Sequence, residues 1–233
     1  MSATGTLRRP ELVVFDVNET LSDLSPMGRR FEDVGAPSYM SRLWFASLLR
    51  DGFALTAAGG HPVFAEVAED VLRACLYGFE LTRPLDDAVR HVMAGFSELP
   101  VHPDVPEGVR AMHDAGLRLV TLSNGSVAVG ERLLRDAGVR SFFDDLLSVE
   151  DVGIWKPHSA AYGYALDVCK TTASLAMLVA VHPWDVDGAR RAGLMTAWVN
   201  RSGAAYPASF LAPDLEVASL PQLAAALAGL DPH

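Results

Sequence analysis

Two hydrophobic periods alternate along the chain, and the first short run sets the frame. Leu12-Val13-Val14-Phe15 is continuously apolar, rich in β-branched and aromatic residues, and leads straight into Asp16. Such a run reads as a strand buried on both faces. Asn18, Glu19 and Thr20 read as the loop where that strand ends. From residue 26 to residue 99 the spacing becomes helical. Val63, Phe64, Val67, Ala68, Val71, Leu72, Cys75 and Leu76 recur in pairs every four residues, which predicts an amphipathic helix. Leu43-Trp44-Phe45 with Leu48-Leu49 predicts another, and Ala88, Val92 and Phe96 a third. Pro26, Pro37, the break from Ala58 to Pro62, Pro84 and Pro100 punctuate them.

From Val101 strands and helices alternate. Helices are predicted over Pro106–Ala115, Val127–Ala137, Ala160–Val168 and Pro221–Ala228, the first two closed by Gly116 and Gly138. Strands are predicted over Arg118–Leu122, Leu146–Val149, Leu175–Val181, Thr196–Val199 and Leu215–Val217. This alternation implies an α/β fold, a parallel sheet flanked by helices and joined by right-handed crossovers. A crossover usually needs one helix, yet the stretch after the first strand holds at least three. The expected organisation is an α/β core of residues 10–22 and 100–233, with a small helical subdomain of residues 23–99 inserted after the first strand.

Composition narrows the class. A chain of 233 residues, half of them hydrophobic, suffices for one good core or one core plus a small subdomain. Its 29 acidic and 19 basic residues give a net charge of −10, which argues against nucleic acid or an anionic membrane as the main partner. Cys75 and Cys169 are far apart and read as buried free thiols of a reducing cytoplasm. Met1–Pro10 shows no apolar leader core, and no apolar run approaches the ~20 residues of a membrane span. Cytoplasmic is the expectation.

Four strand ends carry polar groups: Asp16 and Thr20; Ser123 and Asn124; Lys156, in the loop beyond the third strand; and His182 with Asp185. In an open parallel sheet ligands bind outside the carboxyl ends of the strands, so these groups are candidates for one site. Taken singly each has a plainer reading: Asp16 or Asp185 as a helix cap, Ser123-Asn124 as a turn, Lys156-Pro157 as a solvated loop. Taken together and in this order, they resemble the four motifs of the haloacid dehalogenase superfamily. Within it the chain looks most like the type II 2-haloacid dehalogenases, through Leu122–Ser126, Leu147–Val149, Lys156-Pro157, Tyr162, Trp184-Asp185, Gly188–Arg190 and Trp198–Arg201.

That resemblance implies a Rossmann-like core with a helical cap, and dehalogenation of a small anionic halogenated acid. Asp16 would be the nucleophile, displacing halide to form an enzyme ester that water then hydrolyses. Lys156 would keep Asp16 ionised and Thr20 would fix its rotamer. Ser123, with the backbone N–H groups of Val17 and Asn18, would bind the substrate carboxylate. Asn124 would line the halide side, Tyr162 would orient Lys156 or the carboxylates, and Asp185 would position or activate water. His182 departs from the subgroup, which often has an asparagine in its place. It reads as a candidate for substrate binding or water activation, or equally as a packed strand-end histidine. The resemblance implies no metal and no other cofactor, and admits a homodimer.

Departures from the superfamily pattern carry chemical weight. Its phosphatases have a general-acid aspartate two residues after the nucleophile, where this chain has Asn18. Halide leaves without a proton, so Asn18 suits halide displacement. If Asp185 matches the second carboxylate of the fourth motif, the first falls at Val181, which cannot ligate a hard cation. The dehalogenase subgroup also carries a halide-gripping arginine on its cap, which Tyr39–Phe45 does not supply unambiguously. Arg42 reads first as a surface residue and would substitute only if its helix faces the cleft; Trp44 and Phe45 read first as core, with lining of the substrate pocket as the alternative. The competing readings are a phosphatase or phosphonate-cleaving relative, which would need Mg²⁺, and a catalytically silent binding protein.

Overall fold

The computed structural model describes residues 7–231; the leader reading falls mostly on residues 1–6, outside the described residues. Six parallel strands form one sheet: β1 (Leu12–Phe15), β2 (Arg118–Ser123), β3 (Asp145–Ser148), β4 (Ala176–Ala180), β5 (Met195–Val199) and β6 (Leu215–Val217). Their order is β3-β2-β1-β4-β5-β6. β1 is therefore central, with Phe15 level with Thr121 of β2 on one side and Val179 of β4 on the other. The strand order reverses at β1, which places Asp16 at the sheet's topological switch point.

The strands show why the first run lacks polar residues. Leu12, Val14, Val120, Leu122, Leu178 and Ala180 belong to the apolar cluster on one face, and Val13, Phe15, Leu119, Met177 and Val179 to that on the other. Side chains alternate across a strand, and here both faces are covered. Helices α5 (Val105–Asp114), α6 (Val127–Asp136) and α9 (Leu220–Ala228) contribute to the second cluster, and α7 (Ser159–Cys169) and α8 (Pro183–Arg191) to the first.

Four helices lie between β1 and α5: α1 (Met27–Glu32), α2 (Met40–Ala57), α3 (Phe64–Leu76) and α4 (Leu85–Ser97). They pack on Trp44, whose ring meets Phe96 edge-on at 5.6 Å and whose Nε1 donates to the Ala68 carbonyl at 2.9 Å. Three were visible in the apolar spacing. The six-residue α1 is shorter than two helical turns and has no period to show. α2 continues past Leu49 to Ala57 because Gly52 is required by close packing, not by a turn: a Cβ there would lie 2.1 Å from Trp155 Cζ3. The segment leaves and re-enters the sheet side by side, with an antiparallel bridge between Ser22 and Val101 and bonds from Asp23 N–H to the Pro100 carbonyl (2.8 Å) and His102 N–H to the Leu21 carbonyl (2.9 Å). Cys75 is half-buried and Cys169 buried, both as free thiols. No described helix is long and apolar enough to cross a membrane.

Candidate active site

The strand ends bring their polar groups to one place. Asp16 is buried directly after β1, with its N–H donating to the Val179 carbonyl at 3.0 Å. Its Oδ2 accepts from Thr20 Oγ1 at 2.6 Å and its Oδ1 from Lys156 Nζ at 2.9 Å. Thr20 Oγ1 in turn accepts from Val181 N–H at 3.0 Å, tying the loop after β1 to the end of β4. Both carboxylate oxygens are thus held by fixed donors.

Lys156 is fully buried and donates also to Asp185 Oδ2 at 2.7 Å. Asp185, fully buried in the first turn of α8, takes the Tyr162 hydroxyl on Oδ1 at 2.6 Å. One ammonium therefore bridges two carboxylates, and the buried group carries one excess negative charge. Burial works against the charge on Lys156, but Asp16 and Asp185 outweigh it and hold the ammonium above its ordinary value. Burial raises the Asp185 carboxyl; Lys156 opposes the rise and the charge on Asp16 adds to it. Burial, with the adjacent Asp185, lifts Tyr162 well above its usual range, so it remains a hydrogen-bond donor at neutral pH.

Asn124 is held against the main chain of Lys156. Its Oδ1 accepts from Lys156 N–H at 2.9 Å and its Nδ2 donates to the Lys156 carbonyl at 3.3 Å. The amide thus clamps the main chain of Lys156, beside the cis Lys156–Pro157 bond. Ser123 Oγ accepts from Gly125 N–H at 2.9 Å, which leaves its proton for a ligand, and lines a cavity with Val17 and Asn18.

His182 caps α8 with its ring stacked on Trp184 at 5.1 Å and on Phe45 at 6.4 Å. Its Nε2 is 3.1 Å from the Asn18 carbonyl, 3.5 Å from Glu19 Oε2 and 3.9 Å from Asp16 Oδ2. A nitrogen facing a carbonyl carries the hydrogen. The side of the ring nearest Asp16 is a donor, so water activation at that nitrogen is not what this geometry offers. Glu19 holds a φ of +63°, and burial raises its carboxyl against the opposing pull of His182. Arg42 is exposed, while Trp44 and Phe45 are buried as expected.

Sequence reasoning missed Trp155 altogether and, for Gly188, missed the packing role. Trp155, buried beside Lys156, donates from Nε1 to the Pro62 carbonyl at 2.8 Å and stacks on Phe64 at 5.5 Å. Gly188, one turn beyond Asp185, lets α8 close on the site: a Cβ there would lie 2.5 Å from Pro157 Cβ and 2.7 Å from the Tyr162 hydroxyl. Gly188→Ala is expected to destabilise the fold by about 1–3 kcal/mol, as overpacking does, and to lower turnover by moving Asp185 off Tyr162. Urea unfolding and steady-state kinetics on the same preparation would check both effects.

A carboxylate at the switch point of a parallel sheet, paired with a buried lysine from the loop after β3 and facing helices inserted after β1, defines a hydrolase class. Residues 10–193 match the haloacid dehalogenase-like hydrolase model, and the chain belongs to that family. It is 31% identical to an (S)-2-haloacid dehalogenase of Pseudomonas sp. (strain YL) over 212 residues, 89% of this chain and 90% of that one. It is 28% identical to haloacetate dehalogenase H-2 of Moraxella sp. (strain B), over 91% of this chain and 95% of the other. Among solved structures, a dehalogenase determined with an intermediate complex superposes with a TM-score of 0.88 at 26% identity, covering 95% of this chain and 98% of that one.

Proposed function

We propose that this protein hydrolyses a small 2-haloalkanoic acid to the 2-hydroxy acid through an ester on Asp16, with no metal and no other cofactor. The observation that carries the reading is the buried Asp16–Lys156 pair at the switch point, with Asn18 rather than an acid two residues on. The names of the relatives, haloacid and haloacetate dehalogenases, support the substrate class.

Asp16 is pre-aligned by Thr20 and Lys156, so attack on C2 requires little reorganisation of the nucleophile. One carboxylate oxygen forms the new C–O bond as the C–halogen bond breaks, and halide departs with the bonding pair. Ser123 and the backbone after Asp16 orient the substrate carboxylate. Esterification removes the charge on Asp16 and leaves Lys156 and Asp185 as a balanced pair. Water then attacks the aspartyl carbonyl. Burial makes Asp185 a stronger base than an exposed carboxylate, which suits it to take the proton of that water. Cleavage of the second C–O bond expels the alkoxide, which takes the proton held by Asp185 and leaves as the hydroxy acid. The remaining hydroxyl proton of the adduct passes to solvent, and Asp16 returns as a carboxylate.

The donor set fits a reaction without a divalent ion. Val181 offers no side-chain oxygen, and the Lys156 ammonium already bridges the two carboxylates. The helices of residues 23–99 serve in this reading as the cap over the site. The free thiols of Cys75 and Cys169 suit the cytoplasm.

Halide release from 2-chloro- and 2-bromopropionate is expected to persist unchanged in EDTA. In single turnover in ¹⁸O-water, label is expected first in Asp16, detected by peptide mass spectrometry. Loss of activity in EDTA, or label entering product alone, would overturn this route.

A further inference from the structure

A cavity of about 180 Å³ is lined by Val17 and Asn18, the two residues that follow Asp16. Asn18, Ser97, Ser123, Ser126 and Glu150 supply its polar lining; Phe64, Met93, Phe96 and Val129 supply apolar surface. The two kinds of lining meet closely at Gly125. A Cβ built there would lie 3.5 Å from Ser123 Oγ, 3.7 Å from Asn18 Nδ2 and 3.6 Å from Phe64 Cδ1. A carboxylate held by Ser123 would therefore have an aromatic wall within one side chain's width. On the α6 side, Gly130 is buried and lines the cavity, and a Cβ there would meet nothing within 4 Å. An apolar cavity of about 150 Å³ admits a benzene ring. The two carbons of a haloacetate leave this wall unused.

We propose that the cavity receives the substituent on C2, and that the preferred substrate is a 2-halo monocarboxylate bearing an apolar group of about phenyl or benzyl size. This inference rests on the dehalogenase reading above. Glu150 lines the same space and opposes a second carboxylate on the substituent.

The test compares kcat/KM for halide release from bromoacetate, 2-bromo-3-phenylpropionate and 2-bromosuccinate. The phenyl compound is expected to exceed bromoacetate by at least about tenfold, and 2-bromosuccinate to be the poorest. Gly130→Leu fills the cavity and places a better helix former than glycine in α6, so the fold should hold. It is expected to cut the ratio of phenyl compound to bromoacetate by at least about tenfold. A wild-type ratio below that threshold, or a ratio that Gly130→Leu leaves in place, overturns the proposal. If none of the compounds is turned over, the dehalogenase reading itself has failed. The cavity is then judged separately by calorimetric binding: 3-phenylpropionate binding at least about tenfold tighter than propionate supports it, and equal binding overturns it.

Discussion

Asp16→Asn is expected to reduce halide release by about 10⁴-fold or more, which corresponds to about 5.4 kcal/mol or more of lost transition-state stabilisation. An amide oxygen is a poor nucleophile, so the ester cannot form at a useful rate. The fold should survive, because the amide carbonyl can still accept from Thr20 or Lys156, the two donors that hold the carboxylate at 2.6 and 2.9 Å. The measurement is a single-turnover halide assay on protein whose mass confirms asparagine at position 16, since slow deamidation would restore the carboxylate. Turnover at wild-type rate in that preparation would remove Asp16 from the chemistry.

Lys156→Met should be the most damaging change to stability. It leaves Asp16 and Asp185 buried without their shared counter-charge, and breaking a buried pair in this way costs about 3–5 kcal/mol. The sign of the pH dependence follows from the two raised groups. Lys156 lies above its ordinary value in the fold, so its contribution is complete below that value and is lost only as pH rises through the raised one. The raised Asp185 carboxyl contributes fully below its ordinary value, and that contribution is lost as pH rises through its folded value. The deficit of Lys156→Met should therefore be large at pH 8 and smaller in the acid range, where the raised Asp185 carboxyl takes up a proton. Urea unfolding at pH 5 and pH 8 gives the comparison, and an equal deficit at both would dismiss the buried-charge explanation. Asp185→Asn should behave in the opposite way. It leaves Asp16 and Lys156 as a one-to-one pair, so turnover falls while stability stays within about 1 kcal/mol of wild type.

The parts of the molecule that sequence made legible are those where one residue type answers one local demand. Leu12–Phe15 had to be apolar throughout because both faces of β1 are covered. The paired spacing in α3 reflects a single buried stripe of Phe64, Val67, Ala68, Val71, Leu72 and Leu76. Lys156 and Asp185 became legible only as members of an ordered set of polar groups beyond the strand ends, since each taken singly reads as a solvated loop or a helix cap. What stayed hidden depends on long-range contact. The role of Asn124 is set by a main chain 32 residues away, which no local pattern encodes. Gly52 and Gly188 resemble ordinary loop or helix glycines until Trp155 and Tyr162 are placed against them. The cavity is formed jointly by α3, α4 and α6, so none of its walls carries a signature of its own.

The bridge between Ser22 and Val101 has a consequence for how such a chain can diverge. Since these residues stand side by side, the intervening helices form a parenthesis in the connectivity of the sheet, and a simple hairpin could join its two ends. Phe64, Met93 and Phe96 lie inside the parenthesis, whereas Asp16, Lys156 and Asp185 lie outside it. Drift within those helices can remodel the cavity walls while Asp16 keeps its mounting on the sheet.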